Sequence, residues 1–421
     1  MTYTFFILEW TDMLDPQQKK QLLYDLFASY EVMKRGKSNK HTVIAFDINK
    51  EKEILQLYDE LLHERYQISP YTCFLIYDPV PREIFAPHIR DRIIHHFIYT
   101  QLNPILEGLF LDNSYACRIG KGNHHAIHQV KKMLRAVGDN YTQEAWVAKY
   151  DISGYFMSID KTILSSLVKT ILEDNQSRIP YPFAWLRNII QTIIINDPTL
   201  HYHRISYSKK RNSFPRSKSL FASKAGTGLP LGNLTSQIFA NIYLHELDIF
   251  VVQNLGIRQY GRYMDDFVLM HTDKSYLQNC IIQIERFLHE RLHLQLHPNK
   301  RYFQPIRHGV TFCGVQIYPY YMFPRKRTIG RRKKKMYEWK SHPPDSYKEW
   351  ELFRSTCNSY LGMLKHRSTY RLRIQMLSLL PVYRQNHIRY KHPFDKIILK
   401  IKKVKRKFKK TLYIFYKLFG W

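Results

Sequence analysis

The sequence contains few cysteines, few acidic residues and no long apolar run. Its five cysteines are scattered without a CxxC pair and stand at Cys73, Cys117, Cys280, Cys313 and Cys357. This distribution argues against a zinc site and a disulfide framework, and it fits a reducing cytoplasm. The first residues, MTYTFFILEWTDMLD, lack a basic segment and reach Glu9 and Asp12 too early for a signal peptide. Because no run of about 18 apolar residues occurs, we expect no membrane-spanning helix.

Basic residues outnumber acidic ones almost two to one. Lys and Arg together number 65 against 35 Asp and Glu, which gives a formal net charge of +30. So large an excess opposes compaction and favours a polyanionic partner. Aromatic residues make up 14% of the chain, and aromatic rings suit stacking on bases as well as core packing. Composition therefore favours nucleic-acid binding over a merely basic soluble protein, and the binding should weaken with salt because phosphate contacts release counterions.

The basic residues concentrate in three segments. Residues 201–224 hold seven Lys or Arg and no acid, with Phe214 and Phe221 between them. This pattern fits a solvated loop and a nucleic-acid contact equally well. Residues 325–335 hold eight Lys or Arg, and residues 396–410 hold nine with no acid. The C-terminal pattern indicates a basic, helical appendage, for which nucleic acid is a simpler partner than a membrane surface.

Three acidic residues are the candidates for chemistry. Asp265 and Asp266 lie in YMDD (residues 263–266), which the flanking sequence indicates to be the turn of a tight hairpin. Asp151 ends EAWVAKYD, which has the pattern of a strand. Carboxylates at neighbouring strand ends can hold two Mg²⁺ ions about 3.5–4 Å apart, the arrangement used in polynucleotide synthesis. Considered alone, an acidic pair at a hairpin is more often a solvated turn.

The order of elements around these acids predicts an α+β domain. A helix is expected over TSQIFANIYLHELDIFVVQNL, with Thr235 or Ser236 as its N-cap. The hairpin and a second helix follow, and then LHLQLHP, whose period of two predicts a strand stopped by Pro298. Strand, helix, hairpin, helix and strand in this order are the split βαβ arrangement of a ferredoxin-like palm.

Several segments in order resemble the palm of reverse transcriptases, over roughly residues 80–320. They are KYDISGYFMSID (149–160), GLPLGNLTSQIFANIYL (228–244), YMDD, LQLHPNKRYF (294–303) and VTFCGVQIYP (310–319). The resemblance implies a right-hand polymerase with fingers, a ferredoxin-like palm and a helical thumb. The domains it implies are residues 1–80 as an N-terminal extension and the start of the fingers, 81–145 as fingers, 146–320 as palm with a basic fingers insertion around 165–225, and 321–421 as a basic, mainly helical thumb and tail.

The resemblance also assigns catalytic roles. Asp151, Asp265 and Asp266 match the catalytic carboxylates, which with the backbone carbonyl of Ile152 would hold two Mg²⁺ ions, with Mn²⁺ as a possible substitute. Lys300 resembles the lysine that approaches the leaving pyrophosphate as a general acid, although a plain surface lysine is a fair alternative.

Further residues are assigned to the substrates. Phe156 matches an aromatic steric gate that selects dNTPs over NTPs, with a core phenylalanine as the alternative. Arg118, and less surely Lys121, match fingers residues that hold the triphosphate. The remaining match is the primer-grip hairpin, where glycine would permit close backbone approach; it consists of Phe312, Cys313 and Gly314.

One departure narrows the resemblance. Many reverse transcriptases have Gln-Gly-x-x-x-Ser-Pro where this chain has LGNLTSQ (residues 231–237). Leu231, Gly232, Ser236 and Gln237 in this pattern, with NSYACRIGKG and FMSIDK, resemble diversity-generating retroelement reverse transcriptases. Those enzymes copy a template-repeat RNA into cDNA with errors at template adenines. Leu231 removes a polar group that could contact the incoming nucleotide, which should loosen discrimination.

The narrower resemblance also implies partners and a location. It implies template RNA, the RNA–DNA hybrid, dNTPs and a basic, oligomeric accessory variability protein. It also implies a cytoplasmic location for a protein encoded by a bacterium or a phage. A group II intron-like, retron or phage-defence reverse transcriptase is the closest alternative. An inactive nucleic-acid-binding relative is another, although three acids facing a phosphate backbone argue against it.

Overall fold

The computed structural model describes residues 13–77, 80–205, 214–342, 344–365, 369–378, 388–391 and 396–399. The described residues form two compact units. The first contains the described residues up to Gly122 together with Ala148–Phe303, and the second contains Asn123–Val147 with the described residues from Gln304 onward. None of the described helices is both long enough and apolar enough to cross a bilayer. The predicted basic residues Lys209–Arg211 and 400–410 lie outside the described residues.

The first unit is built from helices around two small sheets. Its helices are α1 (Pro16–Lys34), α2 (His41–Ile48), α3 (Lys50–Leu62), α4 (Ile89–Leu109), α6 (Tyr155–Ser158), α7 (Lys161–Asp174), α8 (Phe183–Ile195), α9 (Leu234–Ile249) and α10 (Lys274–Leu292), while α5 (Asn123–Val137) belongs to the second unit. Local sequence explains several helix starts. Asp15 and Gln18 form a capping box before α1, with Pro16 at the first helical position. The side chain of Asp160 caps α7, and that of Asp273 caps α10.

The strand order of the larger sheet is that of a ferredoxin-like palm. Its strands are β3 (Trp146–Asp151), β5 (Gln259–Tyr263), β6 (Asp266–His271) and β7 (Tyr302–Pro305), in the spatial order β5-β6-β3-β7. Numbered along the chain, these strands lie in the order 2-3-1-4, with helices between the first and second and between the third and fourth. The predicted split βαβ arrangement is therefore confirmed.

The smaller sheet of this unit joins distant segments. β1 (Tyr71–Ile76) pairs antiparallel with β2 (Arg82–Ala86) and parallel with β4 (Tyr202–Arg204). The basic segment around 165–225 thus contributes a strand to a sheet begun more than a hundred residues earlier. The domain boundaries proposed from sequence stay predictions.

Two local predictions were wrong. α9 begins at Leu234 with Asn233 as its N-cap, while Thr235 and Ser236 are buried in its first turn. The Thr235 hydroxyl is not free to cap because its Oγ1 lies 2.8 Å from Nδ1 of His95. Residues 292–298 form no strand, although Leu296 makes an isolated bridge with Ile152. The alternation of buried leucines is real, but the strand that joins the sheet is β7.

The second unit combines a small antiparallel sheet with helices. Its elements besides α5 are β8 (Val310–Phe312), β9 (Val315–Ile317), β10 (Met322–Pro324), α11 (Lys326–Ser341), α12 (Tyr347–Lys365), α13 (Tyr370–Ser378), β11 (Ile388–Lys391) and β12 (Lys396–Leu399). β8, β9 and β10 pair in sequence order. The amphipathic helix α5 reaches the segment after β9, where Arg135 Nε donates to the carbonyl of Pro319 at 2.5 Å. Trp339 and Trp350 pack edge-on against Phe353 between α11 and α12.

Candidate active site

Two of the three candidate carboxylates lie on a tight β-hairpin. β5 pairs with β6 so that Tyr263 lies opposite Asp266, which leaves Met264 and Asp265 as a two-residue turn. Met264 has φ +57°. This left-handed conformation costs a non-glycine residue about 1–3 kcal/mol and persists only where surrounding contacts hold it. The hairpin predicted from YMDD is confirmed, and we call residues 263–266 the carboxylate turn.

The end of β3 brings Asp151 to the carboxylate turn. The N–H of Ile152 donates to the backbone carbonyl of Asp265 at 3.2 Å. On the other side of β3, the N–H of His297 donates to the carbonyl of Asp151 at 2.8 Å. The side chain of Ile152 is buried, so its backbone is the part of this residue that could face a ligand. Backbone hydrogen bonds therefore make Asp151 and Asp265 neighbours despite their separation in sequence.

Two lysines form ion pairs with Asp151 and Asp266. Lys300 Nζ lies 2.6 Å from Asp151 Oδ1, which places this predicted site residue directly at the acids. Lys149 forms an ion pair with Asp266, and sequence reasoning missed it. The signal was present, because Lys149 stands two residues before Asp151 in β3, and alternate strand residues share a face.

The acids at the turn are difficult to ionise. Burial, and then the negative charge of Asp151, raise the pKa of Asp265 to about 6. Burial also raises the pKa of Asp266, although the ammonium of Lys149 opposes the shift. Buried carboxylates held close together disfavour a second negative charge unless a cation compensates it. The site therefore concentrates negative charge that the fold alone does not fully balance.

The unfavourable ionisation of Asp265 should make the free energy of unfolding depend on pH. The raised pKa of Asp265 means that the unfolded chain loses this proton at lower pH than the folded one. The free energy of unfolding should therefore fall as pH rises from about 4 to above 6. We expect Asp265→Asn to be more stable than wild type at pH 7.5, by no more than about 3 kcal/mol, with the advantage shrinking at pH 4.5. Urea unfolding of both proteins with a chelator present measures this, and an advantage that does not change with pH would contradict it.

The donor set fits a divalent cation chemically. Within the part of the chain that the structure describes, no three His, Cys, Asp or Glu residues are grouped so as to hold a metal ion. Asp151 and Asp266 are instead each paired with a lysine. Carboxylate oxygens are nonetheless the hard ligands that Mg²⁺ requires, and the charge of Asp151 that disfavours ionisation of Asp265 is what a cation would neutralise.

Arg118 lies in a different setting from the one expected for a triphosphate ligand. It is buried, and its Nε lies 3.0 Å from Oε2 of Glu107. Its Nη1 donates to the carbonyls of Leu111 and Ser114, and its Nη2 to that of Glu107. The guanidinium also lies over the ring of Phe110. Every guanidinium nitrogen is already bonded within the chain, so this placement favours a structural role over the predicted triphosphate contact.

Lys121 is also paired within the same segment. Its Nζ lies 3.0 Å from Oδ1 of Asp112 and donates to the carbonyl of that residue at 3.2 Å. The carboxylate of Asp112 is almost fully exposed, with a relative side-chain accessibility of 99%. An exposed partner of this kind is exchanged at little cost, so Lys121 is the freer of the two predicted residues.

Phe156 and Leu231 pack against one hydrophobic cluster. Both are partly buried against a core that includes Phe85 and Met157. The N–H of Phe85 donates to the carbonyl of Leu231 at 2.8 Å. At Gly232, φ is +129° and a Cβ atom would lie 2.6 Å from the carbonyl oxygen of Phe85, so other residues are excluded there. We call residues 226–233 the Leu231 loop, and its backbone is held firmly against β2.

The two residues that close the motif have different environments. Ser236 is only 3% exposed, which removes its side chain from direct contact with a substrate. Gln237 is exposed, and its Oε1 accepts from Sγ of Cys117 at 3.1 Å.

His95 of α4 is fully buried behind Thr235, and burial lowers its pKa to about 3. His95 is therefore a neutral core residue.

The predicted primer-grip residues form a hairpin in the second unit. Phe312 ends β8 and pairs with Val315 of β9, which leaves Cys313 and Gly314 as a two-residue turn. Both turn residues have positive φ, +46° and +75°. A Cβ atom at position 314 would meet none of the described residues within 4 Å. Within the described residues, glycine is therefore required here by its backbone conformation, and the primer-grip role stays a prediction.

Comparison with known proteins identifies the family. Residues 80–317 match the reverse transcriptase (RNA-dependent DNA polymerase) family model. The chain is 24% identical over 301 residues to protein YkfC of Escherichia coli (strain K12), covering 63% of this chain and 71% of YkfC. It is 28% identical over 176 residues to the group II intron-encoded protein LtrA of Lactococcus lactis subsp. cremoris, covering 41% of this chain but only 23% of LtrA.

A solved structure of apo telomerase from Candida tropicalis, truncated from its C-terminal domain, covers 61% of this chain and 55% of its own, with a TM-score of 0.44 and 12% identity. A similarity this low adds nothing to the family assignment.

The match to the reverse transcriptase family model spans more than half of the 421 residues and contains the carboxylate turn, Asp151 and the ferredoxin-like sheet. The chain belongs to the reverse transcriptase family and is an RNA-directed DNA polymerase with a right-hand polymerase fold.

Proposed function

We propose that this protein is a diversity-generating reverse transcriptase, which copies a template-repeat RNA into cDNA with errors at template adenines. The observation that carries the proposal is Leu231. An apolar side chain stands where many reverse transcriptases have glutamine, and it packs with Phe156 on one hydrophobic cluster. The cDNA would serve to diversify a target gene by mutagenic retrohoming.

The Leu231 loop has a fixed backbone. For this reason we expect leucine in place of glutamine at position 231 to lower the fidelity of nucleotide incorporation. Phe85 holds the loop by a hydrogen bond to Leu231, and Gly232 leaves no room for the loop to shift toward β2. The backbone that carries Leu231 is therefore held in place at the position of the missing amide. A site without a hydrogen-bonding group rejects wrong partners weakly, because no buried polar atom is left unpaired when a wrong one binds.

The carboxylate cluster supports a polymerisation reaction that uses divalent cations. We propose that these are two Mg²⁺ ions, or Mn²⁺ in their place. Asp151, Asp265 and Asp266 would hold them, with the backbone carbonyl of Ile152. When bound, such ions lower the pKa of the primer 3′-hydroxyl and neutralise charge on the triphosphate and the leaving pyrophosphate. Lys149 and Lys300 are paired with two of these carboxylates.

Two further side chains have proposed roles in the same reaction. Lys300, whose Nζ lies 2.6 Å from Asp151 Oδ1, would donate a proton to the leaving pyrophosphate. Phe156 is fixed by packing on the same cluster as Leu231. A ring fixed beneath the sugar would exclude a 2′-hydroxyl and so select dNTPs.

Leu231→Gln tests the fidelity proposal. We expect misincorporation opposite template adenine to fall about 10-fold, because the amide restores a hydrogen-bonding group that penalises a wrong nucleotide. Sequencing of cDNA made on an RNA template containing all four bases measures the error at each. Errors opposite the other bases should change little.

Leu234→Gln is the matched control. It makes the same chemical change three residues away, at a leucine that is also partly exposed but lies in the first turn of α9. It should leave the error spectrum as in wild type. An adenine error rate in Leu231→Gln equal to that of wild type would reject Leu231 as the determinant.

A group II intron-like reverse transcriptase is the second candidate function. The similarity to LtrA, whose name describes a group II intron-encoded protein, favours it. The wild-type error spectrum separates the two, since equal error rates opposite all four template bases would favour this candidate. The proposed partners are template RNA, the RNA–DNA hybrid, dNTPs and, for the diversity-generating function, a basic accessory protein. Because this chain itself carries a net charge of +30, RNA would have to bridge two such basic proteins.

A further inference from the structure

A fully buried arginine lies directly beside the carboxylate turn. Arg262 on β5 and Asp248 on α9 both have side chains that are 0% exposed. Arg262 Nε donates to Asp248 Oδ1 at 2.7 Å, and Nη2 donates to Oδ2 at 2.6 Å. Nη2 also donates to Ser114 Oγ at 3.1 Å. Nη1 donates to Asn241 Oδ1 and to the backbone carbonyl of Met264, both at 3.2 Å.

These contacts use the full capacity of the side chain. A guanidinium has five N–H donors in a fixed planar fork, and Arg262 makes five hydrogen bonds. Two of them form a bidentate pair with a carboxylate, the geometry in which arginine cannot be replaced by lysine. The paired charges of Arg262 and Asp248 cancel, so the network adds little net charge beside the catalytic acids.

The partners of Arg262 belong to three different functional segments. Met264 is the left-handed residue of the carboxylate turn, and it immediately precedes Asp265. Asn241 and Asp248 lie on α9, the helix that begins after the Leu231 loop. Ser114 lies in the segment that leads to Arg118, and the backbone of Arg262 is bonded to that segment too, accepting from the N–H of Tyr115 at 3.0 Å.

Met264 is the link that matters for chemistry. Its conformation is strained, and a strained turn is kept only where contacts over-determine it. The hydrogen bond from Arg262 Nη1 fixes the carbonyl of Met264, and so the peptide that leads to Asp265. The backbone carbonyl of Asp265 is in turn bonded to the N–H of Ile152. The direction of the Asp265 carboxylate is thereby set by groups on both sides of the turn.

We propose that Arg262 is a positioning residue for polymerisation. Paired with Asp248, it holds the carboxylate turn in its strained conformation, aims Asp265 at the catalytic cation and ties the turn to α9 and to residues 113–118. The role rests on the proposed function of Asp265 as a metal ligand. Residues that orient ligands in this way typically change metal affinity or activity about 10–100-fold when mutated.

The test uses Arg262→Lys, which keeps the charge but has three donors and no fork. Mn²⁺ binding to the protein–primer–RNA template complex is measured by electron paramagnetic resonance, together with kcat and KM for dNTP. We expect the Kd for Mn²⁺ to rise about 10-fold and kcat to fall by a similar factor, while KM for dNTP changes less. Ser114→Ala, which keeps the ion pair and removes a single contact, is expected to fold and to weaken Mn²⁺ binding about threefold.

Leu57→Ala is the control for loss of stability alone. Leu57 is buried in α3, a helix that supplies none of the hydrogen-bond partners of Arg262, so the variant should melt at a lower temperature and bind Mn²⁺ as wild type does. If Arg262→Lys or Ser114→Ala lowers the melting temperature but leaves Mn²⁺ affinity and kcat unchanged, Arg262 is merely structural and the inference is overturned. If Asp265→Asn binds Mn²⁺ as tightly as wild type, the proposed role of Asp265 fails, and this inference fails with it.

Discussion

Asp265→Asn is expected to lower the rate of RNA-templated primer extension by about 10³-fold while the protein stays folded. Asparagine has nearly the size of aspartate, so the turn can persist, but it cannot supply negative charge to a catalytic cation. Asp265 is next to both other acids, since it precedes Asp266 and its backbone carbonyl accepts from the N–H of Ile152, the residue after Asp151. Single-turnover extension with Mg²⁺ and dNTPs measures the chemical step directly.

The combination of two effects makes this prediction specific to a functional carboxylate. The same substitution that removes activity should stabilise the fold at neutral pH, because it removes a buried charge. If Asp265 served only to stabilise the fold, its substitution would lower the free energy of unfolding instead of raising it. Asp197→Asn is the matched control, since Asp197 is an exposed acid in the same unit, and it should extend primers as wild type does. Extension by Asp265→Asn within 10-fold of wild type would exclude Asp265 from the chemistry.

Asp248→Ala is expected to lower the free energy of unfolding by about 3–5 kcal/mol. The substitution leaves the guanidinium of Arg262 buried without its counter-ion, and a buried unpaired charge is among the most costly defects in a protein interior. It also leaves the hydroxyl of Tyr260 without its acceptor, since Tyr260 donates to Asp248 Oδ1 at 2.6 Å. Guanidinium chloride unfolding of the whole protein measures the loss, which is a large part of the stability of a typical domain.

A less buried ion pair in the same unit provides the comparison. Arg90 and Glu60 are paired with side chains 18% and 17% exposed, so Glu60→Ala leaves a cation that water can reach. Its cost should stay below about 2 kcal/mol. Equal losses in the two variants would show that burial of Arg262 is not the source of the effect.

The hairpin and the palm order could be predicted from sequence because their signals are local. YMDD lies between a polar run and an apolar run in RQYGRYMDDFVLMH, and a two-residue turn between paired strands fixes its own register. The strand ending at Asp151 and the helices on either side of the hairpin show clear periodicity. The ordered motifs then identify the family, since each element has its place along the chain.

The errors came where a partner lies far away in sequence. Thr235 was expected to cap α9, but its hydroxyl bonds to His95, which lies on another helix. Residues 292–298 alternate as a strand does, yet their backbone bonds go to the end of β3. The triphosphate contact of Arg118 stays a prediction, and its guanidinium is bonded to Glu107 and to nearby backbone carbonyls. A local pattern specifies which side chains are buried, but not which groups they meet.

The sequence by itself determined that this protein is a basic, polymerase-like chain with three acids for chemistry and an unusual leucine in its motif loop. These properties depend on composition, periodicity and the order of motifs, and all three can be determined from the amino-acid sequence alone. Only the tertiary structure decided how the acids are balanced and held. Lys149 and Lys300 neutralise them, and Arg262 with Asp248 fixes the strained turn beneath them. The physical reason is that charge pairing and burial depend on distance in space, and the groups that form this site come from strands, helices and loops well over a hundred residues apart.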